Sequence, residues 1–330
     1  MSPPHGDPEP PGRRVHVGGA GRVRVDGAGG GRVRVDGAGG RRLRVGGVEG
    51  GRVRVGGAGD RRVRVDGVEG GRVRVGGVEV DALTEGEVVR RVAAAMEAGE
   101  GGRIVTPNVD ICRAAASDPA LRELVCSADL VVADGMPLVW AARLLGTPLP
   151  ARVTGADLLW SLTELAARHD WPVYLLGGGP PHVAPKAARE LTNRHPRLRV
   201  CGAHAPPFHF DATPEGAAEV RGKVIAARPR LVFAGLGFPR QDLLIAALRE
   251  ELPETWFLGC GAAIAFAAGT LGRAPAWMRR TGLEWAFRLG AEPVRLAPRY
   301  LVNDLPYAAR LLGGSFMSAS VRGRGRPPEG

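Results

Sequence analysis

Residues 231–241 read LVFAGLGFPRQ, and this stretch indicates the architecture of the protein. The first four residues predict a buried strand, the two glycines predict a tight turn, and the residues after them have the pattern of a helix. Two other apolar runs, at 173–176 and 256–259, also lead into glycine-rich turns. Strands that alternate with helices in this way are typical of βαβ units and a parallel sheet.

The same patterns predict strands and helices on both sides of this stretch. The predicted strands are 103–106, 130–133, 173–176, 199–202, 231–234 and 256–259. The predicted helices are 85–98, 120–126, 137–145, 156–169, 180–194, 214–227 and 239–251, followed by 276–289 and 293–312 with no strand between them. We therefore expect an α/β fold with a Rossmann-like, mostly parallel sheet, helices on both faces and a helical C-terminal appendage.

Residues 21–80 consist of six copies of a ten-residue unit in which arginine alternates with valine before a glycine-rich turn. The unit is compatible with an arginine-glycine arm for nucleic acid, with a β-solenoid, or with a mostly disordered expansion. We favour disorder, because one thin valine face without aromatic residues buries too little surface to offset the ordering entropy. The last copy runs on without a break, so 72–75 is predicted to be the first strand of the folded domain.

These patterns divide the chain into segments of different composition. The predicted segments are the repeats at 1–71, an α/β domain at 72–272, the helical appendage at 273–312 and a disordered tail at 313–330.

The charge lies mainly at the two ends of the chain. The formal net charge is +11, with net +7 in residues 1–80 and net +6 in residues 270–330. The ends are therefore expected to meet an anionic partner, whether lipid, pyrophosphate or nucleic acid. The four cysteines have no C-x-x-C spacing, which indicates neither a zinc site nor a disulfide framework. We expect a cytoplasmic chain, because it has neither a signal-peptide pattern nor an apolar run of about 18 residues.

Polar and glycine residues follow several predicted strands at their carboxyl ends, where ligands bind to open parallel sheets. The polar residues are Thr106, Asn108, Asp134, Arg152 and Gln241, and the glycine turns contain Gly177, Gly178, Gly179, Gly235, Gly237, Gly259 and Gly261. Glycine turns that lead into helices let backbone N–H groups approach a phosphate. Taken singly, the polar residues are equally typical of helix caps and turns. The last position of G-x-G-x-x-G is His182, Arg240 or Ile264, which disfavours a nicotinamide enzyme.

The ordered set of motifs resembles the WecG/TagA/CpsF glycosyltransferases over roughly residues 72–312. The matching stretches are TPN at 106–108, ADG at 133–135, RVTG at 152–155, LLGG at 175–178, GLGFPRQ at 235–241, RAPAWM at 273–278 and GLEW at 282–285. The resemblance implies a metal-independent inverting transferase without a cofactor. It implies a UDP-sugar donor, often UDP-N-acetylmannosamine, and a polyprenyl-pyrophosphate-linked acceptor sugar, in cell-surface polysaccharide or teichoic-acid-type polymer synthesis.

The resemblance also assigns roles to particular residues. It makes Asp134 the general base, with Thr106 and Gln241 beside it as catalytic residues. It implies that Arg152 binds the diphosphate and that Asn108, Thr106 and Gln241 orient the sugar hydroxyls. It also implies that the turns at 177–179 and 235–237 bind the nucleotide. In the family, arginines of the C-terminal appendage reach the pyrophosphate, and Arg288 and Arg295 stand at the matching positions. The aromatic and basic residues that alternate in this appendage suit binding to an anionic membrane surface.

Two positions depart from the family pattern, and they keep other functions open. Ala265 stands where the family tends to have an aspartate, and Pro298, with Arg299 beside it, stands where the family has an arginine. The chain could therefore be a catalytically impaired UDP-sugar-binding protein. A nucleic-acid-binding protein acting through the repeats is the third hypothesis, although the repeats lack aromatic stacking partners.

Overall fold

The computed structural model describes residues 22–26, 32–36, 52–55, 63–66 and 71–324. The chain divides into two compact units, Met1–Gly71 and Arg72–Gly330.

Four repeat segments form strands in the first unit, where the sequence favours disorder. Strands β1 (Arg22–Asp26) and β2 (Arg32–Asp36) pair antiparallel, and so do β3 (Arg52–Val55) and β4 (Val63–Asp66). The physical reason is local: the Arg-Val alternation has the period of a strand, and antiparallel pairing sets the opposite charges of the two end residues across from each other. The rest of the predicted disordered segment up to residue 70 lies outside the described residues.

The second unit opens with an antiparallel hairpin of β5 (Arg72–Val75) and β6 (Val78–Asp81), which confirms the strand predicted at 72–75. Gly76 and Gly77 form its turn with φ angles of +60° and +81°, which glycine adopts without strain. Asp81 is buried; its carboxylate accepts hydrogen bonds from the Arg72 side chain at 2.8 Å and from the Val131 N–H at 2.8 Å. The hairpin is thereby fixed beside the main sheet.

All six predicted strands are present and form one parallel sheet. In chain order they are β7 (Gly102–Val105), β8 (Leu130–Val131), β9 (Val173–Gly177), β10 (Val200–His204), β11 (Leu231–Gly235) and β12 (Trp256–Gly259). Their order across the sheet is β10-β9-β11-β12-β7-β8, and every pair is parallel. The strands β9, β11 and β12 are almost fully buried and read as continuous apolar runs rather than alternating patterns, whereas the edge strand β10 is only partly buried.

Helices cover both faces, as the α/β prediction requires. They are α1 (Glu85–Glu97), α2 (Val109–Ser117), α3 (Pro119–Cys126), α4 (Met136–Leu144), α5 (Gly155–Arg168), α6 (Val183–Arg194), α7 (Pro214–Ala227), α8 (Arg240–Glu251) and α9 (Ala263–Ala267). Helices α1, α5, α6 and α9 share one apolar cluster, while α7 and α8 contribute to another. The sequence analysis missed α2 and α9, which are short and rich in alanine, so their apolar periodicity is weak.

The C-terminal segment is helical but more broken than predicted. It contains α10 (Ala276–Thr281), α11 (Glu284–Ala291), α12 (Pro293–Ala297), a π-helical turn (Pro298–Asp304) and α13 (Leu305–Arg324). Gly282 interrupts the first predicted helix in a left-handed conformation, with φ at +79°. Among the described residues, none of the helices has the length and apolar content that crossing a membrane requires.

The predicted disordered tail at 313–330 differs from the structure, which extends α13 to Arg324. Just before this stretch, Leu311 and Leu312 lie against the apolar cluster that contains the hairpin valines, which anchors the helix from which the extension continues. Ser315 is buried, and its hydroxyl donates to the Leu311 carbonyl at 2.7 Å. Residues 325–330 lie outside the described part of the chain.

Tyr307 fastens α13 to the hairpin, and its hydroxyl gives a test of this packing. The hydroxyl donates to the Gly76 carbonyl at 2.9 Å and lies 3.3 Å from the Cys112 carbonyl. We expect Tyr307→Phe to lower the free energy of unfolding by about 1 kcal/mol, because a partly buried hydrogen bond is lost. Denaturant unfolding measures the change. Tyr300→Phe is the control, since the Tyr300 hydroxyl makes no hydrogen bond within residues 71–324; equal losses in both variants would contradict this role.

Candidate functional site

Three loops meet at the carboxyl edge of the sheet beyond β7 and β8. The Asp134 N–H donates to the Pro107 carbonyl at 2.9 Å, so the loop after β8 lies beside the loop after β7. The Val153 N–H donates to the Ala133 carbonyl at 2.9 Å, which brings the segment before α5 alongside. These backbone contacts assemble the segments that carry Thr106, Asp134 and Arg152, although they lie far apart in the sequence.

Asp134 is a carboxylate with an unusual environment. Burial raises its pKa from 3.8 to about 6, and the negative charge of Glu284 acts in the same direction. The guanidinium groups of Arg152 and Arg288, together with a hydrogen bond from the Gly155 N–H, oppose that rise. The carboxyl group thus titrates near neutral pH, where a general base works best.

Thr106, which follows β7, lies beside Gly155, the first residue of α5. It is buried, and a Cβ atom added at Gly155 would lie 3.3 Å from the Thr106 hydroxyl and 3.2 Å from the Cys260 Cα. A side chain at position 155 would have to push these atoms apart by a few tenths of an ångström, so glycine suits the close approach of α5 to the strand ends. The structure therefore explains why the loop ends in Thr154-Gly155.

Arginines and carboxylates form a chain of ion pairs around the site. Arg152 contacts Glu284 at 3.2 Å, Arg273 contacts Glu284 at 3.7 Å and Asp157 at 2.8 Å, and Arg279 contacts Asp157 at 3.7 Å. Glu284 and the arginines at 273 and 279 belong to the C-terminal segment, so the appendage closes one side of the site. Sequence reasoning missed Asp157 and Glu284, because nothing local marks their long-range partners.

Asp157 is held in place by the start of α5. Thr154 caps this helix by accepting the Asp157 N–H at 2.9 Å, and its hydroxyl donates to the Asp157 carboxylate at 2.7 Å. Burial alone would raise the pKa of Asp157, but the hydrogen bonds from Arg273 and Thr154 outweigh it and lower the pKa. Asp157 therefore stays ionised and anchors Arg273.

Asn108 has the structural role of a helix cap and also borders the site. Its side-chain oxygen accepts the Ile111 N–H at 3.1 Å at the start of α2. A Cβ atom at Gly135 would lie 3.5 Å from the Asn108 Cα, so Asn108 packs against the Asp134-Gly135 loop. A cap uses only the amide oxygen, which leaves the amide nitrogen as a donor toward a ligand.

The glycine turns are packed against one another. Gly177 and Gly178 have φ angles of +99° and +97°, and the Gly178 N–H donates to the Gly235 carbonyl at 3.0 Å. A Cβ atom at Gly235 would lie 2.6 Å from the Gly261 carbonyl oxygen. Gly179 and Gly237, with φ of +115° and +81°, instead face open space. Close packing against backbone at Gly177 and Gly235, and against the Ile264 side chain at Gly178, accounts for the first three glycines and leaves the other two turn tips open to a ligand.

Gln241 has intramolecular contacts at both ends of its amide. The side chain is buried, its oxygen accepts the Gly237 N–H at 3.1 Å, and it hydrogen-bonds to the Asp242 carboxylate. Burial raises the pKa of Asp242 to about 6, while this hydrogen bond opposes the rise. Gln241 thus braces the turn at 235–237, and its predicted contact with sugar hydroxyls stays a prediction.

The two predicted appendage arginines lie in different environments. Arg288 is close enough for its charge to lower the pKa of Asp134, and its buried Nε has no hydrogen-bond partner within residues 71–324. Arg295 is exposed and pairs with Glu292 through two contacts of 2.6 Å and 2.9 Å. The structure therefore brings Arg288 to the site and shows Arg295 in a surface ion pair.

The two departures from the family pattern also have structural settings. Ala265 packs against the core cluster, and its carbonyl accepts the Thr270 N–H at 3.1 Å. Pro298 begins the π-helical turn, and Arg299 pairs with Asp110 at 2.8 Å. Arg299 is thus committed to α2 and is not an unpaired substitute for the arginine that Pro298 replaces.

The fold and the site together define an α/β enzyme of the glycosyltransferase class. Asp134 and the arginines around it lie at the carboxyl edge of a parallel sheet, which also carries glycine turns of the kind that bind phosphate groups. The chain belongs to the Glycosyl transferase WecG/TagA/CpsF family, whose sequence profile matches residues 73–320.

Two curated proteins are similar to more than half of this chain. An N-acetylglucosaminyldiphosphoundecaprenol N-acetyl-beta-D-mannosaminyltransferase of Bacillus spizizenii (strain ATCC 23059 / NRRL B-14472 / W23) is 30% identical over 200 residues, which cover 61% of this chain and 75% of the relative. A protein of the same name from Bacillus subtilis (strain 168) is 28% identical over 195 residues, covering 59% of this chain and 73% of the relative.

The close contact at Gly235 predicts a steric effect on stability. We expect Gly235→Ala to destabilise the protein by roughly 1–3 kcal/mol, because the new methyl group would overlap the Gly261 carbonyl. Gly222→Ala, in α7 with no atom within 4 Å of the added Cβ, should stabilise it by roughly 0.5–1 kcal/mol. Denaturant unfolding compares the two variants, and a neutral Gly235→Ala would show that the turns can separate freely.

The raised pKa of Asp134 predicts a pH-dependent stability. Folding favours the protonated carboxyl, so this group's stabilising contribution is present below its unfolded pKa and is lost as pH rises through about 6. We expect Asp134→Asn, which cannot ionise, to melt at a higher temperature than the wild type at about pH 8 and to match it near pH 4. Thermal unfolding across this range measures the difference. A variant that is less stable at every pH would contradict the pKa assignment.

Proposed function

We propose that this protein is an inverting glycosyltransferase that moves a sugar from a UDP-sugar to a polyprenyl-pyrophosphate-linked acceptor. N-acetylmannosamine is the proposed sugar, because both relatives carry that activity in their names. The proposal rests mainly on the environment of Asp134. Its carboxyl group has a pKa near neutrality and lies near the charges of two arginines at the carboxyl edge of the sheet.

The proposed reaction is a single in-line displacement. The acceptor hydroxyl oxygen attacks the anomeric carbon of the donor while its proton passes to an Asp134 carboxylate oxygen. The bond between the anomeric carbon and the phosphate oxygen breaks, and UDP leaves with the electron pair. Inversion follows from one displacement, and general-base catalysis of this kind contributes roughly 10²- to 10⁴-fold. Thr106, Asn108 and the braced turn around Gln241 orient the sugar hydroxyls.

The departing diphosphate needs positive charge, and we propose that arginine side chains supply it without a metal ion. Arg152 and Arg288 both act electrostatically on Asp134, so a diphosphate that leaves from a sugar beside this base would lie within their reach. Guanidinium groups bind phosphate oxygens with two parallel hydrogen bonds, which suits this task. The open turn tips at Gly179 and Gly237 present backbone to the nucleotide.

The acceptor proposal requires access to a membrane surface. The C-terminal segment exposes several large apolar side chains: Trp277, Leu283, Trp285, Val294, Leu301, Val302, Leu305 and Phe316. Tryptophan and aliphatic residues interleaved with arginine are typical of interfacial helices. We propose that the protein is cytoplasmic and binds the inner face of the cell membrane peripherally through this segment, where it would meet a lipid-linked sugar.

A UDP-sugar-binding protein without transfer activity is the second candidate, and Ala265 favours it. The aspartate that the resemblance expects there would supply a carboxylate, whereas the alanine methyl group packs against the core cluster. The two candidates share nucleotide binding and differ only in turnover.

The test is UDP release by the purified full chain with a panel of UDP-sugars and a short-chain polyprenyl-diphosphate-linked N-acetylglucosamine. We expect acceptor-dependent release with UDP-N-acetylmannosamine, and a loss of roughly 10²-fold or more in Asp134→Asn with UDP binding retained. Asp170→Asn is the matched control, because Asp170 forms an exposed ion pair with Arg197. UDP binding without release for every donor would favour the second candidate, and a fully active Asp134→Asn would remove the proposed base.

A further inference from the structure

The Glu284 carboxylate joins two arginines from different parts of the chain. One carboxylate oxygen lies 3.2 Å from the Arg152 Nη1, and the other lies 3.7 Å from the Arg273 Nε. The Glu284 side chain is only 16% exposed, so these contacts are shielded from solvent. A single side chain therefore connects the loop before α5 to the segment that leads into the appendage.

The two arginines depend on Glu284 to different degrees. Arg273 has a second carboxylate, Asp157 at 2.8 Å, and also lies 3.4 Å from the Thr154 hydroxyl. Arg152 has no ion pair other than Glu284 among the contacts of residues 71–324. Loss of the Glu284 charge would therefore release Arg152 and leave Arg273 anchored.

Close packing fixes the position from which Glu284 reaches the arginines. A Cβ atom at Gly282 would lie 2.5 Å from the Met136 Cγ and 3.4 Å from the Trp140 ring, so the turn before α11 presses directly on α4. Glu284 is the first residue of α11, where a negative charge is favourable beside the free N–H groups of a helix.

The charges around Asp134 show what Glu284 contributes to the site. Arg152, Arg273 and Arg288 place positive charge near the carboxyl group, and Glu284 is the acidic group that faces it. Without Glu284 the arginines would act unopposed and make Asp134 a weaker base. With it, the same guanidinium groups remain available for a diphosphate while Asp134 stays basic.

We propose that Glu284 is a positioning residue for glycosyl transfer, which fixes Arg152 and seats the C-terminal appendage beside Asp134. The proposal rests on the proposed function of this site. Glu284 acts through Arg152 and through the electrostatic field at Asp134, and it does not contact the reacting atoms.

The test compares Glu284→Gln with Glu164→Gln in the full chain. Glu164 lies on α5 in an exposed pair with Arg168, so its variant loses the same charge without touching the site. We expect Glu284→Gln to speed amide hydrogen exchange in residues 276–291 about tenfold and to lower kcat roughly 10- to 100-fold. UDP binding should not weaken, and the acidic limb of the pH–rate profile should move to lower pH, because the pKa of Asp134 falls.

Two further variants separate the effect of the negative charge of Glu284 from the effect of its side-chain length. Glu284→Asp keeps the negative charge but is too short to span both arginines, so the acidic limb should stay in place while exchange in 276–291 becomes faster. If Glu284→Gln does not fold, Arg152→Gln removes the other side of the pair and should speed the same exchange.

The outcomes distinguish this proposal from the proposed function. Wild-type exchange rates in 276–291 for Glu284→Gln, or an unmoved acidic limb with unchanged kcat, would overturn the positioning role. If the wild-type protein transfers no sugar, the proposed function fails, and hydrogen exchange alone still decides whether Glu284 seats the appendage.

Discussion

The site depends on backbone hydrogen bonds that continue the sheet beyond the ends of its strands. The strand β8 has only two residues, Leu130–Val131, yet the Asp134 N–H still pairs with the Pro107 carbonyl and the Ala133 carbonyl still accepts the Val153 N–H. Hydrogen bonding thus continues past the end of this strand. The backbone of Asp134 is placed by these main-chain hydrogen bonds.

This placement has an electrostatic cost that the rest of the site offsets. A carboxylate drawn out of water tends to protonate, and burial is the largest influence on the pKa of Asp134. Arginines from both the α/β domain and the C-terminal segment oppose that tendency, while Glu284 limits their effect. The resulting pKa of about 6 is a balance between groups more than 100 residues apart. The pKa of Asp134 therefore depends on the appendage as well as on the sheet.

Much of the fold could be predicted because its signals are local. Apolar runs predict the six strands, three of which lead into glycine turns, and parallel strands bring Thr106 and Asp134 to one edge of the sheet. The ion pair between Arg152 and Glu284 could not be predicted. It joins residues 132 positions apart, and the periodicity of the sequence contains no information on such long-range packing. The same limit applies to Gln241, whose residue type suits a ligand contact and a buried brace equally well.

The N-terminal repeats show how little a strand pattern alone determines. Arg22 faces Asp36 in the β1–β2 pair, just as Arg72 faces Asp81 in the β5–β6 hairpin, so the same alternation gives the same end pairing. What distinguishes the last copy is the sequence that follows it, VEVD at 78–81, which buries two valines completely and directs Asp81 to the Val131 N–H. Pairing needs only alternation, whereas joining a core needs apolar residues on both strands and a partner for the buried charge. The second unit therefore begins at the copy whose continuation supplies both.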